Sequence, residues 1–297
     1  MKHLDTAFVI LHYLVSEQTK KCIDAITEKI DTQNYFIVIV DNFSNNGSIE
    51  EVENYINGNS KIKILKNSSN LGFANGNNTG IQYLNKNYDC DFICVLNNDV
   101  YLQSCNIYKV INKEFQISSF AVAGPKIYTK DGKDNSNPKR LEPFTKKSVV
   151  HRKIEIDIYY WLYTFHLSLL IRILDKRKKR QAVIQNLNIS ETELPQNHRI
   201  YNIQLHGCFY IFSKKYFEYY DGFDPRTFLY MEEEILYQRL LNQKLVSVYL
   251  PEIEVFHEED ASTNAMLKKR PRSRQLFVLR HHRKSIKILL DVIKEKE

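Results

Sequence analysis

The 297-residue chain has a single tryptophan and five cysteines, Cys22, Cys90, Cys94, Cys105 and Cys208. None of the cysteines forms a CxxC pair. An odd number without a framework argues against structural zinc and for a reducing compartment, and cytoplasmic placement is the expectation. No run of about 20 uncharged apolar residues occurs, which argues against a spanning helix. The opening stretch MKHLDTAFVILHYL has no small-residue cleavage site and leads straight into the helix-like SEQTKKCIDAI, so it reads as a first strand rather than a secretory signal. GxGxxG is absent, and so is any GK[ST], which removes the dinucleotide fingerprint and the Walker loop. No internal repeat is visible.

What is there supports a packed core. Hydrophobic residues make up 43% and charged residues 26%, which excludes global disorder. The length suits one large α/β domain or two small ones. The 19 tyrosines and 16 phenylalanines are mostly core material, with some available to line a sugar or base site. A net charge of +7 fits an anionic partner: nucleotide phosphates, nucleic acid or an anionic membrane surface. No RNA- or DNA-binding module appears and the basic residues cluster late, so nucleic acid is not the expected partner.

The first half alternates. Strand-like runs at Ala7–Leu14, Tyr35–Val40, Ile62–Leu65, Asp91–Leu96 and Phe120–Gly124 are separated by helical spacing at Ser16–Ile30, Ile49–Ile56, Gly76–Asn87 and on to about Glu114. Continuous apolar strands alternating with helices predict a mainly parallel sheet covered on both faces. Residues 130–200 interrupt this pattern with the polar loop Lys130–Arg140 and the apolar aromatic stretch Ile154–Arg180, which ends in a basic cluster. That stretch is expected either to lie in a membrane interface with Lys176–Arg180 on anionic head groups, or to pack on the domain as a helical insertion. The pattern resumes at Ile203–Phe212, followed by the helix FLYMEEEILYQRL, the strand Leu245–Pro251, the segment EIEVFHEE and a basic helical tail, Lys268–Lys296. The expected organisation is a domain over 1–260, inserted at about 130–200, and a tail over 261–297.

Ligands of open α/β sheets bind beyond the carboxyl ends of the strands, so the residues there matter most. Asp41 follows the second strand in DNFSNNGS, where a carboxylate accepts from a base N–H or a ribose hydroxyl and where Asx turns are equally at home. The third strand leads to NLGFANGNNTG, whose glycines allow close backbone approach and whose asparagines donate and accept, a composition suited to an uncharged or diphosphate ligand at a helix start. The fourth ends in VLNNDV. Asp99 there offers the carboxylate that Mg²⁺ takes together with ligand phosphates and water.

In the glutamate helix, residues three and four apart share a face. Glu234 lines up with Gln238 and Asn242, which predicts exposure to solvent. Glu232 and Glu233 line up with Leu236, Tyr237 and Leu240, which predicts partly desolvated carboxylates with raised pKa values, suited to general-base work. Spacing leaves both open. His257, after a strand-like segment, offers an imidazole to a divalent ion.

Taken in order, VIVDNFSNNGS, NLGFANGNNTG, VLNNDV, GPKI, HGCFYIFSKKYFEYYDGFDPRTFLYMEEEILYQRL and PEIEVFH resemble the inverting glycosyltransferases of family 2, of GT-A fold, across about residues 6–260. The likeness is greatest to bacterial rhamnosyl- and galactofuranosyltransferase-like members. The resemblance implies a Rossmann-like, mainly parallel sheet with helices on both faces. It implies that Asp41 contacts the nucleoside of the sugar donor and that Gly72, Asn75 and Asn78 line its site. Asn97, Asn98 and Asp99 fall on the family's Asp-x-Asp metal motif. Asn97 replaces the first acid, Asn98 lies beside the bound nucleotide and Asp99 is the metal-binding acid. Glu232 and Glu233 fall on the family's acidic pair, with Glu233 the base, and His257 falls where relatives place a metal-ligating histidine. Implied too are Mg²⁺ or Mn²⁺, a dTDP- or UDP-sugar as donor, and a saccharide or lipid-linked acceptor for bacterial surface polysaccharide at the inner face of the membrane. Arg272, Arg274 or Arg280 of the tail are expected to close over the diphosphate. The competing expectation is a non-catalytic nucleotide-sugar- or membrane-binding protein that retains the fold.

Overall fold

In a computed structural model the described residues are 1–130, 137–177, 197–258 and 271–295. The sheet is built from β1 (Lys2–His12), β2 (Tyr35–Asp41), β3 (Ile62–Lys66), β4 (Tyr88–Asn97), β5 (Val100–Leu102), β6 (Val122–Thr129), β7 (Ile200–Tyr201), β8 (Phe209–Ser213) and β9 (Ser247–His257). Its order is β3-β2-β1-β4-β8-β6-β9-β5, with β7 beside β9. Strands β1, β2, β3 and β4 pair in parallel, and so do β6 and β9. Strand β8 runs antiparallel between β4 and β6. The carboxyl ends of β1, β2, β4, β6 and β9 therefore share one edge with the start of β8.

The helices are α1 (Ser16–Lys29), α2 (Ser48–Ile56), α3 (Gly72–Asn87), α4 (Ile107–Ser118), α5 (Lys146–Thr164), α6 (Lys214–Phe217), α7 (Glu232–Asn242) and α8 (Pro271–Lys294). Strand residues alternate faces, and both faces of β1 are covered. Phe8 and Ile10 join Cys22 and Ile26 of α1, Val52 of α2 and Ile111 of α4 in one apolar layer. Ala7 and Val9 join Ala74 and Ile81 of α3, Tyr216 of α6 and Leu240 of α7 in the other. The mainly parallel, doubly covered sheet is the architecture expected from the alternation.

Several boundaries differ from the sequence reading. Helix α3 starts at Gly72, four residues early, because Gly72 takes φ +77°, and Phe73 N–H donates to Phe228 O at 2.8 Å. Ile203–Cys208 is not strand but an edge crossing, held by a bridge between Arg140 and Gln204. The run Leu245–Pro251 and the segment after it form one strand, β9, whose pairing with β6 shifts register opposite Pro125 and Lys126. Helix α7 begins only at Glu232, since Tyr230 and Met231 adopt left-handed backbone, φ +71° and +68°.

Helix α5 begins at Lys146, ahead of the aromatic stretch, capped by Thr145, which accepts from Ser148 N–H. It packs against α8, and their side chains join α7 in a third apolar cluster. There Val149 and Ile156 meet Met231, Ile235, Ile286 and Leu289. Among the described residues no helix is long and apolar enough to cross a membrane. The basic residues 178–180, most of the polar loop (131–136) and tail residues 268–270 and 296 lie outside the described residues.

Gly72 has no room for a side chain. A Cβ there falls 2.1 Å from the Phe228 carbonyl oxygen, in a backbone region that costs an L side chain ~1–2 kcal/mol by itself. Gly72→Ala is expected to lower unfolding free energy by at least about 2 kcal/mol, measured as a fall in urea midpoint at unchanged slope.

Candidate functional site

Strand ends and helix starts bring the predicted residues together along the carboxyl edge of the sheet. Asp41 ends β2, buried, with both carboxylate oxygens accepting from Ser44 N–H at 3.1 and 3.3 Å. That is an Asx-type turn, and it aims the following residues outward. Phe43 then stands 47% exposed in left-handed backbone. Asn42 turns inward instead. Its amide nitrogen donates to Asn70 Oδ1 and Gly72 O, and its amide oxygen accepts from Leu71 N–H and Asn67 Nδ2. Asn42 thereby fastens the Asn70–Gly72 loop to the sheet.

The asparagines of α3 face the opposite wall. Asn75 Nδ2 donates to Pro225 O at 2.8 Å. Asn78, buried, donates to Phe223 O and accepts from Phe223 N–H. These two, with Gly72, clamp α3 to the 223–228 segment. Asn98 is likewise turned away, its amide nitrogen donating to Thr19 Oγ1 at 3.1 Å and to Val15 O. Thr19 Oγ1 also meets His12 Nδ1 at 2.7 Å, and His12 Nε2 meets Ser48 Oγ at 3.0 Å. Burial lowers the His12 pKa to about 4, so a neutral ring ties α1 and α2 beneath the site.

Asp99 and His257 do meet. Both are buried, with Asp99 Oδ1 3.3 Å from His257 Nε2, and neither Asp99 Oδ1 nor His257 Nδ1 has a hydrogen-bond partner. Strand pairing holds them side by side, with Val100 opposite His257 and Glu258 N–H donating to Asp99 O. A buried carboxylate oxygen without a proton donor, beside an imidazole, fits a divalent cation. His206 and Cys208 bring further ligand atoms to His257, all within 4.8 Å of one another. Asp99 and His257 are residues that could hold a divalent cation.

The glutamates lie at the start of α7, where the helix dipole favours negative charge. Glu233 Oε1 accepts from Gly207 N–H at 2.6 Å and lies 3.6 Å from His206 Nδ1. Behind it is a small void of ≈ 10 Å³ lined by Val122, Leu205, Tyr210 and Leu236. Burial in these surroundings raises the Glu233 pKa, opposed by the Gly207 hydrogen bond and by Lys139. The His206 ring stands edge-on to His257, centroids 5.8 Å apart, and its pKa is driven well below the usual value by burial and by Lys139. Glu233, His206, His257 and Asp99 form a continuous row from α7 to the end of β4.

Glu232 turns toward Thr227. Burial raises its pKa to about 7, against a hydrogen bond from the Thr227 side chain, and its Oε1 is without a partner. Glu234 is not in solvent as spacing predicts. It is 13% exposed and paired with Arg152 of α5 at 2.8 Å, because α5 and α8 cover that side of α7. Arg272 is committed elsewhere too, donating to the carbonyls of Tyr163 and Thr164 at the end of α5. Arg274 and Arg280 are exposed.

Sequence reasoning missed His206, Lys139, Asn42 and Phe43. The dipeptide His206-Gly207 carried the available signal, a polar pair opening an apolar strand.

Residues 8–178 match the family described as Glycosyl transferase family 2. No curated protein matches the chain. Among solved structures it resembles the mannosyltransferase PcManGT of Pyrobaculum calidifontis in complex with GDP-Man and Mn²⁺, TM-score 0.54 at 9% identity, over 100% of this chain and 74% of that one. It resembles S. aureus TarS 1-349 in complex with UDP, TM-score 0.52 at 11% identity, over 99% and 71%. It also resembles GalNAc-T7 with UDP, GalNAc and Mn²⁺, TM-score 0.56 at 13% identity, over 86% of this chain and 44% of that one. It therefore spans less than half of the GalNAc-T7 chain. At these identities the likeness is one of fold, and the fold is GT-A.

Glu232 links the site to stability. Its folded pKa, about 7, lies above the unfolded 4.5, so its protonation favours the fold, fully below pH 4.5, and this contribution is lost as pH rises through 7. Glu232→Gln removes that loss. The variant is expected to gain up to about 3 kcal/mol relative to wild type at pH 8 compared with pH 4. Urea denaturation at the two pH values checks this, and an equal difference at both contradicts it.

Proposed function

The chain belongs to glycosyl transferase family 2, and on that premise we propose that it transfers a sugar from a nucleoside diphosphate to a hydroxyl of a saccharide or lipid-linked saccharide, inverting the anomeric centre. The observation that carries the reading is the half-buried Glu233 carboxylate, held by Gly207 N–H at one end of a row that ends in Asp99 and His257. A proton acceptor and a cation site face each other across one strand edge.

Each residue then has a task. Asp41 and the exposed ring of Phe43 receive the nucleoside, the ring by stacking and the Asp41 turn by placing it. The Asn42 network and the Asn75 and Asn78 clamps hold the Gly72 loop and the 223–228 segment as walls. Asn98 anchors the metal-motif turn to α1. Asp99 and His257 hold the divalent cation, which when bound stabilises the negative charge of the leaving diphosphate. Mn²⁺ and nucleotides in the complexes of the PcManGT and GalNAc-T7 neighbours support a nucleotide sugar and a cation here. Glu233 takes the proton of the attacking hydroxyl, a contribution of roughly 10²–10⁴-fold for a positioned base. Desolvation raises its basicity for that step, and the Gly207 hydrogen bond fixes its direction. The donor fitting the rhamnosyl- and galactofuranosyltransferase-like motifs is a dTDP- or UDP-sugar. The acceptor fitting them is a growing bacterial surface polysaccharide, capsule, O-antigen or exopolysaccharide, at the inner face of the membrane.

Glu233→Gln is expected to lower kcat at least about 100-fold while the thermal shift induced by donor and Mn²⁺ persists. The raised pKa places the acid limb of wild-type kcat/KM above the ordinary glutamate value of about 4.3, because Glu233 is protonated and cannot accept below it. Full turnover by the variant contradicts the assignment. Donor binding by wild type with neither transfer nor hydrolysis points instead to a binding protein that retains the fold.

A further inference from the structure

Helix α5 is apolar on two faces, and among the described residues only one of them is packed against the rest of the chain. Its inner side meets α8 and α7 through Val149 and Ile156, and Asp157 is bound by Lys153 and by Arg283. Arg283 also lies over the Tyr160 ring at 4.2 Å. The helix is thus anchored without help from its outer side. That outer side presents Val150, Ile154, Ile158, Trp161 and Phe165, all exposed. The steps of four, four, three and four residues put them in one line along the helix. Trp161 is 48% and Phe165 63% exposed, and their rings stack at 5.6 Å. The helical segment 168–177 extends the surface with Leu169, Leu170 and Ile173.

The border of this surface is mainly basic, with Asp175 an exposed acid and Glu155 a partly buried one. Lys147 lies at the start of α5 and Arg172, Lys176 and Arg177 beyond its end, all exposed. The nearby Asp157 is neutralised as above, and Asp175 accepts from Tyr159 OH. A second copy docking here meets cations at both ends of the stripe, so a two-fold arrangement sets like charge against like charge. A plane with an apolar interior and anionic head groups meets both demands together.

We propose that the outer face of α5 and the segment after it form a docking surface for an anionic lipid bilayer, with Trp161 and Phe165 entering the head-group region and the flanking cations pairing with lipid phosphates. The surface is tied to the site, because Arg152 of α5 holds Glu234, the neighbour of Glu233. Docking therefore sets the base helix at the membrane, where a lipid-linked acceptor is presented. This purpose rests on the sugar-transfer reading, whereas the binding itself does not.

Trp161 is the single tryptophan of the chain, so its emission reports on this face alone. With vesicles containing phosphatidylglycerol the emission is expected to shift to the blue and the protein to co-sediment, with both effects reduced by salt and by pure phosphatidylcholine. Ile158→Asp combined with Phe165→Asp is expected to weaken sedimentation at least about tenfold. Both sites are exposed, so melting temperature and the donor-induced thermal shift stay at wild-type values. Emission that ignores anionic vesicles overturns the proposal, as does vesicle binding retained by the double variant. A wild-type dimer in light scattering that the double variant dissolves, with vesicles ignored, assigns the face to a second copy and overturns it as well. Loss of transfer to a soluble acceptor by Glu233→Gln leaves this result untouched, so the two readings fail separately.

Discussion

Two consecutive left-handed residues, Tyr230 and Met231, are the constraint on which the site depends. Outside glycine such backbone costs roughly 1–2 kcal/mol per residue and persists only where the surroundings hold it. Here the surroundings do so from two sides. Phe73 N–H of α3 donates to Phe228 O, and Ser285 Oγ of α8 donates to Leu229 O. His281 stacks on Phe228 and His282 lies against Tyr230, while Met231 is buried among Ile286 and Leu289. The turn ends the approach to α7 one residue before Glu232. It therefore delivers three glutamates to a helix start instead of a helix middle, and sends them in three directions, to Thr227, Gly207 and Arg152.

The amide side chains have a matching role on the opposite wall. Asn42, Asn75 and Asn78 all bond to backbone of segments distant in sequence. Such bonds carry no charge and need no counter-ion, so they fix the walls of a cleft without competing for a phosphate or a cation. Asp99, His257 and Glu233 stand along the strand edge apart from these bonds. Binding and proton transfer are thus separated from the bonds that hold the cleft together.

Much of this was legible in the string, and the reason is geometric. Parallel strands buried on both faces read as unbroken apolar runs, so β2 to β4 were placed within about three residues at each end, while β1 runs from Lys2 and was begun at Ala7, and strand ends pointed to Asp41 and Asp99. Helical spacing set Glu232 and Glu233 apart as partly desolvated, and burial raises the pKa of both. Spacing failed for Glu234, whose partner Arg152 is 82 residues away. Nothing local distinguishes a solvated glutamate from one covered by a distant helix. The same limit hid His206, and it gave no sign that the Asn98 amide is bonded to α1. In DNFSNNGS it drew the eye to Asp41, although Asn42 ties the loop down. The tail read as a basic cover for a diphosphate, but its apolar side buttresses the strained turn, and Arg272 is spent on α5.

The most direct test of the account is a crystal structure of the Glu233→Gln variant with Mn²⁺ and the nucleoside-diphosphate sugar that stabilises it most. The account predicts an anomalous Mn²⁺ peak ligated by Asp99 and His257. It also predicts that the open face of the anomeric carbon looks toward residue 233. A cation bound away from Asp99 and His257, or a sugar whose reacting face turns from residue 233, contradicts it.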